Sequence, residues 1–212
     1  MDSLARKDTF GDHRWDDLHN WFTSEAKVKE AEVLFLGDDH IALLEQMLIY
    51  RENFAPLHCL CFGAFGDRIC DLQWRLDQGY IAGLTPRVIV VSIGNCDVGQ
   101  DECIILDGIN KIAETIKKSN PTSRLFFLKL LPTGREPNPR RDFVNAVNNK
   151  LEEYLKNLAD VIDIDPSIQG TNGKIDVHDM FDYVHLTQEG YRKIFEPVLV
   201  AVASAINPEN TS

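Results

Sequence analysis

The sequence predicts an α/β fold, a three-layer α/β/α sandwich around a mostly parallel sheet of five strands. Two observations carry this expectation. Five short apolar runs recur along the chain, each bounded by Gly, Pro or Asp, and amphipathic segments of helical period lie between them. Runs that are apolar throughout, rather than alternating, suit strands buried on both faces, and strand–helix alternation suits parallel pairing through helical crossovers.

Taken in order, the first helix is predicted around Trp15 to Ala26, with Trp15, Leu18, Trp21 and Phe22 on its apolar face. The first strand is VLFLG (33–37), followed by the helical segment ALLEQML. The second is HCLCFG (58–63), followed by ICDLQWRLDQGYI, and the third is VIVVSIG (88–94), followed by CIILDGINKIAETIKK. RLFFLKLLP (124–132) precedes the helix FVNAVNNKLEEYLKNL. VIDID (161–165) comes last, and the helix EGYRKIFEPVLVAVASAI closes the pattern with Thr187 as its N-cap. No repeat, low-complexity tract or linker interrupts this order. The expectation is one domain over residues 1–212, with flexible tails at about 1–13 and 207–212.

Composition narrows the function classes. A hydrophobic content of 44% supplies a packed core for 212 residues. The longest apolar runs fall short of the ~20 residues a membrane-spanning helix needs, and the N-terminal residues carry no apolar signal core. The expectation is a soluble cytoplasmic protein without a membrane span. The net charge of −11 argues against a nucleic-acid partner, because phosphate neutralisation needs clustered Lys and Arg. Five cysteines without framework spacing read as thiols in a reducing compartment; Cys59 and Cys61, two apart, would share one face of a strand. No cofactor and no resident metal is expected.

Ligand sites in such sheets form at the carboxyl ends of the strands. There the chain reads Gly37-Asp38-Asp39-His40, then Gly63-Ala64-Phe65-Gly66-Asp67, then Gly94-Asn95-Cys96-Asp97. Asp182-Tyr183-Val184-His185-Leu186-Thr187 opens the last helix. Asp182 and His185 are spaced so that a turn brings carboxylate to imidazole, the arrangement that orients a general base. His40 is read as a cap or a solvent-facing residue, His58 as the start of a strand, and His178 as a structural hydrogen-bonding group.

In order and spacing, these blocks resemble the SGNH (GDSL-type) hydrolases and, among them, the catalytic subunits of intracellular platelet-activating factor acetylhydrolase type Ib. The resemblance runs from about Trp15 to about Val202 and includes WDDLHNWF, VLFLGD, FAPLHCLCFGAFGD, LLPTGREPNPRR and MFDYVHLTQEGY. It implies a flavodoxin-like, SGNH-type sheet, a homodimer, and a partner in the lissencephaly WD-repeat protein, a dynein regulator. It also implies site roles. The nucleophilic serine's place is taken by Asp39. The oxyanion hole would use the backbone N–H at Asp39, the N–H of Gly66 and, in place of an asparagine, Cys96. Phe65 stands where a glycine is common and would fill part of the acyl pocket. Asp182 and His185 match the rest of the triad.

Those departures bear on chemistry. A serine becomes nucleophilic when histidine removes its proton, whereas a carboxylate attacks esters poorly and forms an anhydride that reverts. Its charge also stands where an oxyanion must grow, and the loss of one hole donor elsewhere costs ~3 kcal/mol. Asp39 is expected to pair with His185, placing that ring between two carboxylates and keeping it protonated. Three other readings stay open: Asp39 as a true nucleophile, Cys96 as a replacement nucleophile, and a metal site built from Asp38, Asp39, Asp97 and His185. The leading expectation is a catalytically inactive or nearly inactive subunit that acts as a binding or scaffolding dimer. The competing one is a working short-chain esterase.

Overall fold

The computed structural model describes residues 11–207. Most of the two expected tails, residues 1–10 and 208–212, lies outside the described residues. The elements run α1 (Arg14–Val28), β1 (Val33–Gly37), α2 (Asp39–Leu44), β2 (Cys59–Gly63), α3 (Ile69–Asp77), β3 (Val88–Ser92), α4 (Glu102–Ser119), β4 (Arg124–Leu128), α5 (Pro139–Tyr154), β5 (Asp160–Ile162) and α6 (Gln188–Ile206). All five strands are parallel, in the order β2-β1-β3-β4-β5. The expected α/β sandwich is the observed fold.

Strand periodicity decides which side chains meet which helices, since alternate residues point to opposite faces. Leu34, Leu36, Ile89, Val91, Leu125 and Phe127 form one core with α1, α3, α4 and α5. Val33, Phe35, Cys61, Val88, Val90 and Phe126 form the other, with α2 and α6. Covering both faces is what makes β1, β2 and β3 apolar almost throughout, while Arg124 and Asp160, which open β4 and β5, stay exposed.

The order reverses between β1 and β3: from β1 the chain steps one way to β2, then returns to the other side. A crevice opens at such a switch point. Two glycines let it close tightly. A Cβ at Gly37 would stand 2.0 Å from the Ser92 carbonyl oxygen, and one at Gly63 would stand 2.2 Å from the Ala42 amide nitrogen. The helix after β1 therefore packs directly on the backbone of β2.

Boundaries differ from the sequence reading where side chains, rather than hydrophobicity, end an element. The expected strand 124–132 stops at Leu128, and 88–94 stops at Ser92. Leu130 and Leu131 remain buried, but Leu130 pairs with the carboxamide of Asn148 and Leu131 with that of Asn95. The last strand is Asp160–Ile162 rather than 161–165. The expected helix ALLEQML does not run on to Leu48, because α2 ends at Leu44. The chain then breaks into turns, a π-helical turn (Tyr50–Phe54) and a short 3-10 turn (Ala55–Leu57). α5 begins four residues before the expected Phe143, because Asn138 caps it and Pro139 fits its first turn. Thr187 caps α6 through the Gly190 amide, as expected. Trp21 is a correction: it is 48% exposed, and Phe22 is the α1 residue that enters the core, stacked on Phe62 at 4.7 Å. His58 precedes β2 in a left-handed conformation instead of starting it.

Two buried cations pin the loops. The Arg75 guanidinium grips Asp67 at 2.7 and 3.3 Å, with both side chains 1% exposed. Asp67 also accepts a hydrogen bond from the Trp15 indole at 2.8 Å, and Arg75 lies 4.1 Å from that ring's centre. This ties α1 to the loop after β2. Arg141 is buried and donates to backbone carbonyls of Thr133, Gly134, Arg135 and Gly173, which fixes the 132–139 loop. Breaking a buried pair strands its partner's charge. Arg75→Met is therefore expected to cost about 3–5 kcal/mol in urea denaturation. Arg75→Met combined with Asp67→Asn is expected to cost less than the single change.

Candidate functional site

The turn after β1 presents two adjacent carboxylates that diverge. Asp38 is fully buried and turns inward, capping α2 by accepting from the His40 amide. Asp39, the first residue of α2, turns to the crevice. There its Oδ1 accepts from the Gly66 amide at 2.5 Å. Its Oδ2 lies 3.4 Å from His185 Nε2 and 3.8 Å from Cys96 Sγ. One carboxylate thus gathers Gly66, Cys96 and His185, three residues the sequence placed at the site.

The other side of His185 is held by Asp182. Nδ1 stands 2.7 Å from Asp182 Oδ2, while Asp182 Oδ1 accepts from the amides of Val184 at 3.0 Å and His185 at 2.7 Å. Partial burial works to raise the Asp182 pKa, yet the His185 amide and imidazole, with the Val184 amide, hold it below the usual carboxylate value. The turn is closed further by the Phe181 amide donating to the His185 carbonyl, and by Met180 bridging Leu186. Tyr183 sits at its tip with φ 62°, a costly conformation for a non-glycine. The ring thus stands between two carboxylates, in hydrogen-bond contact with Asp182 and facing Asp39.

Cys96 lies in a short 3-10 turn after β3. Burial, and then the carboxylates of Asp38, Asp39 and Asp97, push its thiol pKa far up. It therefore stays an S–H, a weak donor toward Asp39 and a poor nucleophile. Asn95 points elsewhere, its carboxamide pairing with the backbone of Leu131 in both directions. Asp97 turns away from the crevice as well, accepting from the Ile69 amide at 2.9 Å and from Gln100 at 2.8 Å. Asp38 and Asp97 being drawn off, no cluster of three or more His, Cys, Asp or Glu suited to a metal stands among the described residues.

Phe65 does not fill a closed pocket. It is 55% exposed at the mouth, and Phe181, 57% exposed, stacks on His185 at 5.8 Å. His178 engages through its backbone: its amide donates to Asp176, and its carbonyl accepts from Thr187 Oγ1. The residue that sequence reasoning misplaced is His40. It is 2% exposed and contacts Asp38 and the Val184 carbonyl, with Tyr191 donating to its own carbonyl at 2.7 Å. The available signal was a histidine set directly beside the apolar face of a short helix.

Asp97 gives a pH prediction. Burial lifts its pKa to about 6. A carboxyl whose folded-state value is raised binds more protons folded than unfolded, so its contribution to stability falls as pH rises between 3.8 and about 6. Urea midpoints across that window are expected to show this slope, and Asp97→Asn is expected to remove it.

Comparison with known proteins agrees with this architecture. The model of the GDSL-like lipase/acylhydrolase family matches residues 42–193. Subunit alpha2 of platelet-activating factor acetylhydrolase IB from Rattus norvegicus is 41% identical over 196 residues, covering 92% of this chain and 86% of the relative. The Homo sapiens alpha2 subunit is 40% identical over the same span, and the Bos taurus alpha1 subunit is 37% identical over 190 residues, 89% of this chain and 82% of that one. Among solved structures, a GDSL-like lipase from Bacteroides thetaiotaomicron superposes with TM-score 0.71 at 18% identity, over 92% of this chain and 98% of that one. A catalytic mutant of an acetylxylan esterase from Geobacillus stearothermophilus superposes with TM-score 0.63 at 14% identity, over 83% of this chain and 96% of that one. With the β1/β3 crevice and the Asp182–His185 turn in place, the chain belongs to the GDSL-like lipase/acylhydrolase family.

Proposed function

We propose that this protein is a catalytically silent homologue of the platelet-activating factor acetylhydrolase Ib subunits, a single-domain cytoplasmic chain. It acts as a homodimeric binding or scaffold subunit for the lissencephaly WD-repeat protein. The observation that carries the silence is the position of the Asp39 carboxylate, 2.5 Å from the Gly66 amide. An oxyanion hole works by holding donors ready for charge that develops in the transition state. Here a permanent negative charge already takes up that donor, and His185 and Cys96 face the same group. An ester carbonyl entering the crevice would have to displace it and then build a second negative charge nearby. Two like charges at ~4 Å repel by about 4 kcal/mol at an effective dielectric of ~20. With a carboxylate in the nucleophile's place and a thiol in the asparagine's, attack and stabilisation are both impaired. The binding role rests on the similarity to named enzyme-complex subunits.

The alternative reading, an active esterase removing short acyl groups such as the sn-2 acetyl of a glycerolipid, draws on the intact Asp182–His185 contact. A short-chain acetyl ester assay with fluorophosphonate labelling separates the two. The silent reading expects neither turnover nor labelling, and either one well above background overturns it. Asp39→Ser with Cys96→Asn is expected to recover measurable hydrolysis, since the hole is vacated and a donor restored. Asp39→Ser alone should recover less, by about the 10²–10³-fold that one hole donor is worth. For the binding role, the purified chain is expected to elute at twice its 24.1 kDa mass and to retain the WD-repeat protein. A monomer with no affinity for that partner would end the scaffold assignment.

A further inference from the structure

We propose that His40 is a positioning residue, a buried latch that holds the 180–186 turn, and with it His185, against the Asp39 end of α2. Three contacts across the fold support this. His40 Nε2 lies 3.2 Å from the Val184 carbonyl oxygen, one residue before His185. Its Nδ1 lies 3.5 Å from Asp38 Oδ1, and its own carbonyl accepts from the Tyr191 hydroxyl in α6 at 2.7 Å. The His40 and His185 ring centres are 6.3 Å apart. A shift of the Val184 backbone would therefore reach His185 directly.

The proton inventory follows from the acceptors. A carbonyl only accepts, so Nε2 carries hydrogen. The other ring nitrogen faces a carboxylate, and neither Nδ1 nor Asp38 Oδ2 has a hydrogen-bond partner among the described residues. A bare lone pair on Nδ1 would face that anion unfavourably, whereas the protonated ring serves both neighbours. The groups facing His40 are Asp38 and Asp39 from its own turn, His185 and the Val184 carbonyl from the 180–186 turn, and Tyr191 from α6. Burial pulls the His40 pKa down, but Asp38, the Val184 carbonyl and Asp39 together raise it above the ordinary histidine value. For a raised histidine, the stabilisation is complete below the unfolded value and is lost as pH rises through the folded one. The latch is thus closed below the ordinary histidine value and loosens as pH rises through the raised one. This device is independent of whether the site turns over esters.

Imidazole ¹⁵N spectra and amide hydrogen exchange test it on the full chain. In the wild type, both His40 nitrogens are expected to be protonated below the ordinary histidine value of 6.5. Protection of the Phe181, Val184 and His185 amides, corrected for intrinsic exchange, should fall as His40 deprotonates. His40→Leu should speed exchange at these amides by about tenfold while α4 and α5 stay protected, and should move the His185 imidazole signals. His40→Gln, whose carboxamide can still donate to Val184, should restore protection and abolish its pH dependence. A His40 ring already neutral below pH 6.5 overturns the proposal. So does unchanged exchange in His40→Leu, or acceleration spread evenly over the molecule. If His40→Leu does not fold, His40→Gln and the wild-type titration decide the outcome alone.

Discussion

A parallel sheet covered on both faces leaves its central strands almost no contact with water, and the rest of this molecule follows from that constraint. Those strands must be apolar almost along their whole length, and each must pass to a helix that returns to the starting edge. Because the path turns one way after β1 and the other after β2, the sheet's carboxyl edge splits at β1 and β3. Gly37 and Gly63 remove the side chains that would hold α2 off that edge. The crevice is therefore a product of backbone packing, and the chemistry placed in it is set by a few loop residues.

Burying those loops brings polar groups inward, and the fold answers the main charges among them with partners. Asp67 receives Arg75 and Trp15, Arg141 receives a cage of carbonyls, and Asp38 receives His40. A buried charge without such a partner costs far more than a surface pair gains. These contacts contribute less to net stability than to uniqueness of arrangement. They determine which loop lies against which, and so where Asp39, Gly66 and His185 meet.

At that meeting point a carboxylate faces the Asp182–His185 pair. The Asp182–His185 turn retains the arrangement that would orient a general base. The group it faces is an anion held by the Gly66 amide, in a place where a neutral hydroxyl would accept activation. Cys96 follows the same logic: its thiol, kept protonated among carboxylates, contacts Asp39 and adds nothing as an attacking group. Phe65 and Phe181 remain open to solvent around Asp39 and His185.

The sequence by itself determined the layer architecture, because runs apolar on both faces and helices of regular period are local signals. It also marked Asp39, Gly66 and Cys96 just after apolar runs, and Asp182 and His185 at the opening of the last helix. What only the tertiary structure decided are the pairings between distant segments. The Gly66 amide meets Asp39 across 27 residues, and His40 meets Val184 across 144. Local pattern carries no information about such contacts, since they depend on strand order and on how closely α2 approaches β2. The same reason explains the exposure of Trp21, which helical periodicity assigned to the interior, and of Phe65, which the family resemblance assigned to the acyl pocket. A side chain's neighbours are fixed by the packing of whole elements, and no window of sequence contains them.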